Sequence, residues 1–168
     1  MTMCVDKHAC LLGDIKDDAM VLNPYSMIVC DELERTADIR DNIGVDQYVV
    51  MPNHVHMVVV IEKAKRSVNR ATQRVAPTTL MSGSLGAVVG QLKSSMAKRI
   101  NVMRGTPGQN VWQRSYYDHV IRNDEDLTRI SEYIENNPMQ WAMDDENPDR
   151  KVLRRGDPLG RPNEHGSP

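Results

Sequence analysis

The residues of this chain best suited to chemistry are His54 and His56, separated by Val55 in the run His54-Val-His-Met-Val-Val-Val-Ile61. In an extended chain, side chains at i and i+2 point to one face, about 6.5–7 Å apart, so two imidazoles there can converge on one metal ion. Two ligands do not complete a metal site, and the pattern equally suits a pair of hydrogen-bonded sheet histidines. A second pair, Tyr133 and Asn137, lies four residues apart on a segment with helical spacing, hence one above the other on a helix face. Taken singly, Tyr133 also fits an ordinary core or rim position. Asn137 precedes Pro138 and so ends the helix, where its amide oxygen can reach a cation. Two imidazoles and one amide oxygen form a mixed nitrogen–oxygen set with open positions. That set suits Mg²⁺ or Mn²⁺ on a phosphate better than a closed structural zinc. A phenol of pKa about 10 becomes a competent nucleophile when held in line near such an ion.

The elements that must position these groups follow from periodicity. Asn23-Pro24 reads as an N-cap with proline at the first helical position, and Tyr25, Ile28, Val29, Leu33, Thr36 and Ala37 carry a helix to about Arg40. Residues 1–5 and Val45–Met51 read as strands, and Pro52-Asn53 as a turn. The strand His54–Ile61 is apolar at nearly every other position as well, so it is expected at the centre of a sheet. Ser84 caps a helix whose stripe is Leu85, Val88, Val89, Leu92, Met96, Ile100 and Met103, ended by Gly105 and Pro107. Val111–Ile121 reads as a further strand. Asn123 caps a last helix with Asp124, Glu125 and Asp126 in its first turn, and Pro138 closes it. The predicted fold class is α+β: a mostly antiparallel sheet with helices packed on one face.

Composition narrows the function classes. The chain has 168 residues, 40% hydrophobic and 26% charged, which fits one soluble globular domain. No apolar run reaches the roughly 20 residues of a membrane span, so no membrane partner is expected. The three cysteines Cys4, Cys10 and Cys30 include no CxxC pair, which argues against a disulfide scaffold and for a reducing, cytoplasmic location. The net charge of −2 conceals an asymmetry: residues 63–104 hold nine Lys/Arg and no acid. Such a block suits a polyanionic partner, or else an ordinary solvated face. Within it, 62–82 reads as a mobile loop, while Lys93, Lys98 and Arg99 lie off the apolar stripe of the Ser84-capped helix.

Four blocks taken together resemble a known family. They are Tyr48-Val-Val-Met-Pro-Asn-His-Val-His56, Ser84-Leu-Gly-Ala-Val-Val-Gly-Gln-Leu-Lys-Ser95, Val111-Trp-Gln-Arg-Ser-Tyr-Tyr-Asp-His-Val-Ile-Arg-Asn123 and Tyr133-Ile-Glu-Asn-Asn-Pro138. In this order they are similar to the HUH single-strand transposases with one catalytic tyrosine, most of all the REP-associated tyrosine transposases and their insertion-sequence relatives. The resemblance implies a ferredoxin-like domain over residues 1–142, and the loss of large apolar residues after Trp141 reads 143–168 as a polar, disordered tail. It implies that His54 and His56 are the metal-binding pair, with Val55 as the intervening hydrophobic residue. Asn137 completes the metal site, and Tyr133 is the nucleophile, carried on a C-terminal helix. The implied activity is a metal-dependent cut in single-stranded DNA, often beside a hairpin, leaving a 5′-phosphotyrosine and a free 3′-hydroxyl that allows rejoining. Lys63, Lys65, Arg66, Arg70, Lys93, Lys98, Arg99 and Arg114 would then hold the DNA backbone. Trp112, Tyr116 and Tyr117 are packing or base-stacking residues, and His119 a structural one.

Insertion-sequence relatives act as homodimers with shared sites and REP-associated ones often as monomers, so either state is implied. Family members enter through a longer basic and aromatic stretch, and Met1–Val5 corresponds only to the end of that strand. This departure keeps open a domesticated, non-catalytic module that binds hairpins. A metal hydrolase of small phosphoesters is the third reading, under which the basic face would be idle.

Overall fold

The structure, a computed structural model, describes residues 1–39, 43–62 and 84–150. The chain forms β1 (Thr2–Cys4), β2 (Gly13–Lys16), β3 (Ala19–Leu22), α1 (Pro24–Ile39), β4 (Ile43–Val50), β5 (His54–Ile61), α2 (Leu85–Met103) and α3 (Asp124–Asn136). A 3₁₀ helix over Pro138–Met143 follows directly on α3. The sheet order is β1-β5-β4, antiparallel throughout, with β5 central as its continuous apolar run requires.

Alternation along β5 divides the molecule. Val55 and Met57 are fully buried and join Val29, Leu33, Val88, Met96 and Ile100 of α1 and α2 in the core. His54 and His56, one step out of phase, face the opposite side, where α3 lies. With no phenylalanine in the chain, the buried methionines Met3, Met51, Met57 and Met96 fill volume that aromatic rings usually take.

The caps read from the sequence form as expected. Asn23 Oδ1 accepts from the Tyr25 and Ser26 amides, Ser84 from Ala87 and Asn123 from Asp126. Gly105, at φ 66°, ends α2 in the left-handed conformation that suits glycine.

Two expectations are corrected. The strand read over Val111–Ile121 is not regular: it forms isolated bridges, Val5–Trp112 and Thr2–Tyr117, and the Gln113 amide donates to the Cys4 carbonyl of β1. Between those bridges the Lys93 ammonium donates to the carbonyls of Gln113 and Ser115, 2.9 and 2.6 Å away. Lys93 thus ties α2 to this segment, half-buried with its pKa lowered by desolvation. Arg99 likewise reaches from α2 to Asp31 and Glu32 of α1, so its charge is matched inside the molecule. Residues 13–22, for which the sequence suggested no element, form a hairpin through Asp17 and Asp18, both at positive φ.

Replacing Met57 by alanine is expected to lower stability by about 2–5 kcal/mol in urea unfolding, as for other fully buried large-to-small changes. Arg99→Leu should lower the unfolding midpoint, whereas Lys98→Glu, at an exposed position, should leave it in place.

Candidate metal and tyrosine site

Register brings the first groups together. In the β1–β5 ladder Thr2 stands opposite His56 and Cys4 opposite His54, so both pairs share the face away from the core. Thr2 Oγ1 lies 2.8 Å from His56 Nδ1 and fixes the plane of that ring. His54 is held by its neighbour: its Nδ1 is 2.8 Å from Asn53 Oδ1. The Asn53 orientation is set by its Nδ2, which donates to the carbonyls of His8 and Glu146 at 3.1 and 2.6 Å. Its oxygen must therefore face His54 as an acceptor, which puts the His54 proton on Nδ1 and leaves Nε2 as a bare lone pair.

Both rings then turn Nε2 toward one space, with centroids 4.5 Å apart. Burial and the neighbouring His54 push His56 down to about 3, and burial also lowers His54. Both are neutral imidazoles near neutral pH, the form that binds metal. Into the same space comes the end of α3. Tyr133 Oη lies 3.4 Å from His56 Nε2, with the rings 5.1 Å apart in a T-shaped contact. Asn137, one turn later, is 1% exposed, and its Oδ1 has no hydrogen-bond partner within the protein.

One residue the sequence reading passed over also enters. After the 3₁₀ helix the chain returns across the site, and Asp144 Oδ2 stands 3.8 Å from His54 Nε2. The ligand atoms of His54, His56 and Asp144 all lie within 4.8 Å of one another. The return is anchored by Glu146, whose carboxylate meets His8 Nδ1 at 2.7 Å and whose carbonyl receives Asn53. Asp144, Asp145 and Glu146, read from the sequence as part of a polar tail, thus line the site. The run Asp144-Asp145-Glu146 just beyond the tyrosine helix was the available signal.

These residues fit a divalent cation. His54 Nε2 and Asn137 Oδ1 are buried acceptors without a donor, and a carboxylate stands beside them. Cys4 is not part of that set as a thiolate, because burial and Glu146 push its thiol up to about 12. Tyr133 is also raised, first by burial and then by Asp144 and Glu146, while the Asn137 side chain opposes the shift.

The remaining sequence candidates lie elsewhere. His119 pairs with Asp126 at the start of α3. Trp112 is buried in the core, Tyr116 is half-buried beneath Lys93, and Tyr117 is exposed beside Tyr133. Lys98 and Arg114 are exposed. Lys63, Lys65, Arg66 and Arg70 lie outside the described residues.

Three comparisons bear on this arrangement. No family model matches the chain. An uncharacterized protein of Haemophilus influenzae is 33% identical over 150 residues, which cover 86% of this chain and 81% of that protein. Among solved structures, that of a REP-associated tyrosine transposase bound to a REP hairpin superposes with a TM-score of 0.55 at 16% identity. The superposition covers 83% of this chain, which spans 64% of the transposase chain. At that identity the likeness establishes a common fold.

Asn53→Ala should weaken Mn²⁺ binding by about 10–100-fold, the usual effect of removing the partner that orients a ligand histidine. Titration calorimetry against the parent checks this, with circular dichroism to confirm an unchanged fold.

Proposed function

This chain belongs to one family with the Haemophilus influenzae protein and has the fold of the HUH single-tyrosine transposases, and from that premise we propose that it cuts and rejoins single-stranded DNA beside hairpins. The observation that carries the reading is the approach of the Tyr133 hydroxyl to His56 Nε2, in the one space where the unpartnered acceptors of His54 and Asn137 also open. In this reading His54, His56 and Asn137 hold a Mg²⁺ or Mn²⁺ ion, with Asp144 beside them. When bound, the ion would offset the charge of a phosphodiester and polarise its phosphorus.

The chain's own groups supply position. Thr2 and Asn53 fix the two imidazoles, and α3 sets the phenol against them. The Tyr133 oxygen forms a bond to phosphorus, the bond from phosphorus to the 3′-oxygen breaks, and that oxygen takes up a proton as the phenol loses one. The products are a 5′-phosphotyrosine and a free 3′-hydroxyl. The phosphoester bond is conserved in the protein–DNA link, so attack by another 3′-hydroxyl rejoins strands without a nucleotide cofactor. No GxxxxGK[ST] phosphate-binding loop occurs in the sequence, in keeping with that.

All the named side chains come from a single chain, so the reading needs no residue from a second copy. The other reading is a hairpin-binding protein without catalysis. The two readings separate on a denaturing gel. Incubation with Mn²⁺ and a hairpin carrying a single-stranded flank should give a covalent protein–DNA species. Tyr133→Phe should abolish it and Asn137→Ala should reduce it at least tenfold. Hairpin binding without any adduct would leave the non-catalytic reading.

A further inference from the structure

Two cavities meet at the proposed nucleophile, and both are lined by Thr2, His56, Tyr117 and Tyr133. The first, of about 410 Å³, opens toward Asn137, Asp144, Asp145 and Glu146. Its carboxylates favour a cation and disfavour the backbone of a polyanion. The second, of about 480 Å³, runs the other way along α3, over Ile130 and Ile134 to Arg129. Its volume lies within the range of sites that enclose small ligands. Its lining carboxylate, Asp118, is offset by the charge of the Met1 amino group, which also lines it.

We propose that this second groove binds an unpaired nucleotide next to the bond that is cut, its base stacked on the Tyr117 ring. The inference rests on the reading of Tyr133 as the nucleophile. A strand whose phosphate sits at Tyr133 must leave the site with its neighbouring nucleotide in one of the two cavities, and the acidic one repels it.

Tyr117 is built for the task. The residue is 62% exposed, yet its backbone exchanges two hydrogen bonds with Thr2, at 2.7 and 3.0 Å. An exposed ring on a fixed backbone stacks a base with little loss of freedom, and stacking accepts any base. Ile130 gives an apolar wall. Arg129, paired with Asp126 at 2.6 Å but 72% exposed, stands at the outer end where a following phosphate would emerge.

The test uses the full chain carrying Tyr133→Phe, which keeps the ring and removes the nucleophile, titrated with a fluorescent short oligothymidylate. Adding Tyr117→Ala should weaken binding about tenfold, and adding Tyr117→Trp should restore it. Stacking releases no counterions, so the tenfold ratio should persist when salt is raised even as both affinities fall. On the unaltered protein, an oligonucleotide bearing 5-iododeoxyuridine should photocross-link at Tyr117. Equal affinity of the alanine variant, failure of tryptophan to restore binding, or cross-links that avoid Tyr117 would overturn the groove. Covalent adducts formed on hairpin DNA together with indifference to Tyr117 would refute this inference and leave the strand-transfer reading standing. Tyr117-dependent binding without adducts would do the reverse.

Discussion

The site depends on a buried pair of imidazoles that cannot afford charge. His54 and His56 sit 4.5 Å apart, centroid to centroid, almost wholly removed from water. Protonating either would place a cation in a desolvated space beside its neighbour, which is why both are held below the usual histidine range. Fixing each Nδ1 to a protein oxygen then decides where the lone pairs point. A buried acceptor without a donor costs about 1–3 kcal/mol, and two such atoms face one space here. A cation at that point relieves both at once, so the fold stores an affinity that its own side chains leave unsatisfied.

Electrostatics around the tyrosine follow from the same arrangement. Burial and then the acidic return of the chain raise the phenol, and that return gives one side of the site a negative potential. That potential suits a divalent cation. Part of the basic block is engaged within the fold. Lys93 and Arg99 tie segments of the fold together, which leaves Lys98 and Arg114 as the exposed members of the candidate set within the described residues.

Much of this was legible in the residues. Periodicity and caps placed α1, α2 and α3 within a residue or two of their observed ends, because each has an apolar stripe and a side-chain cap that act locally. The central strand was legible from its unbroken apolar run, and the shared face of His54 and His56 from strand geometry alone. The β2–β3 hairpin was not, since its turn uses Asp17-Asp18 where Asn-Gly is the usual signal. Thr2, Asn53 and Asp144 were missed for a different reason. Their roles arise from register and from the return of the chain, contacts between residues far apart in sequence that no local pattern encodes.

The sheet also separates stability from chemistry. On one face, Val55 and Met57 pack against α1 and α2, and changes there act through cavities. On the other, His54 and His56 meet α3 and the returning segment. Because successive residues of β5 alternate between these faces, a slip of one residue in its pairing would exchange the two sets, burying imidazoles in the core and exposing valines to the site. β1 therefore does more than extend the sheet. Its three residues pair with His54, Val55 and His56, setting Thr2 and Cys4 beside the imidazoles and Met3 in the core. A short strand is sufficient for this, because the register needs to be fixed only over the residues that carry the site.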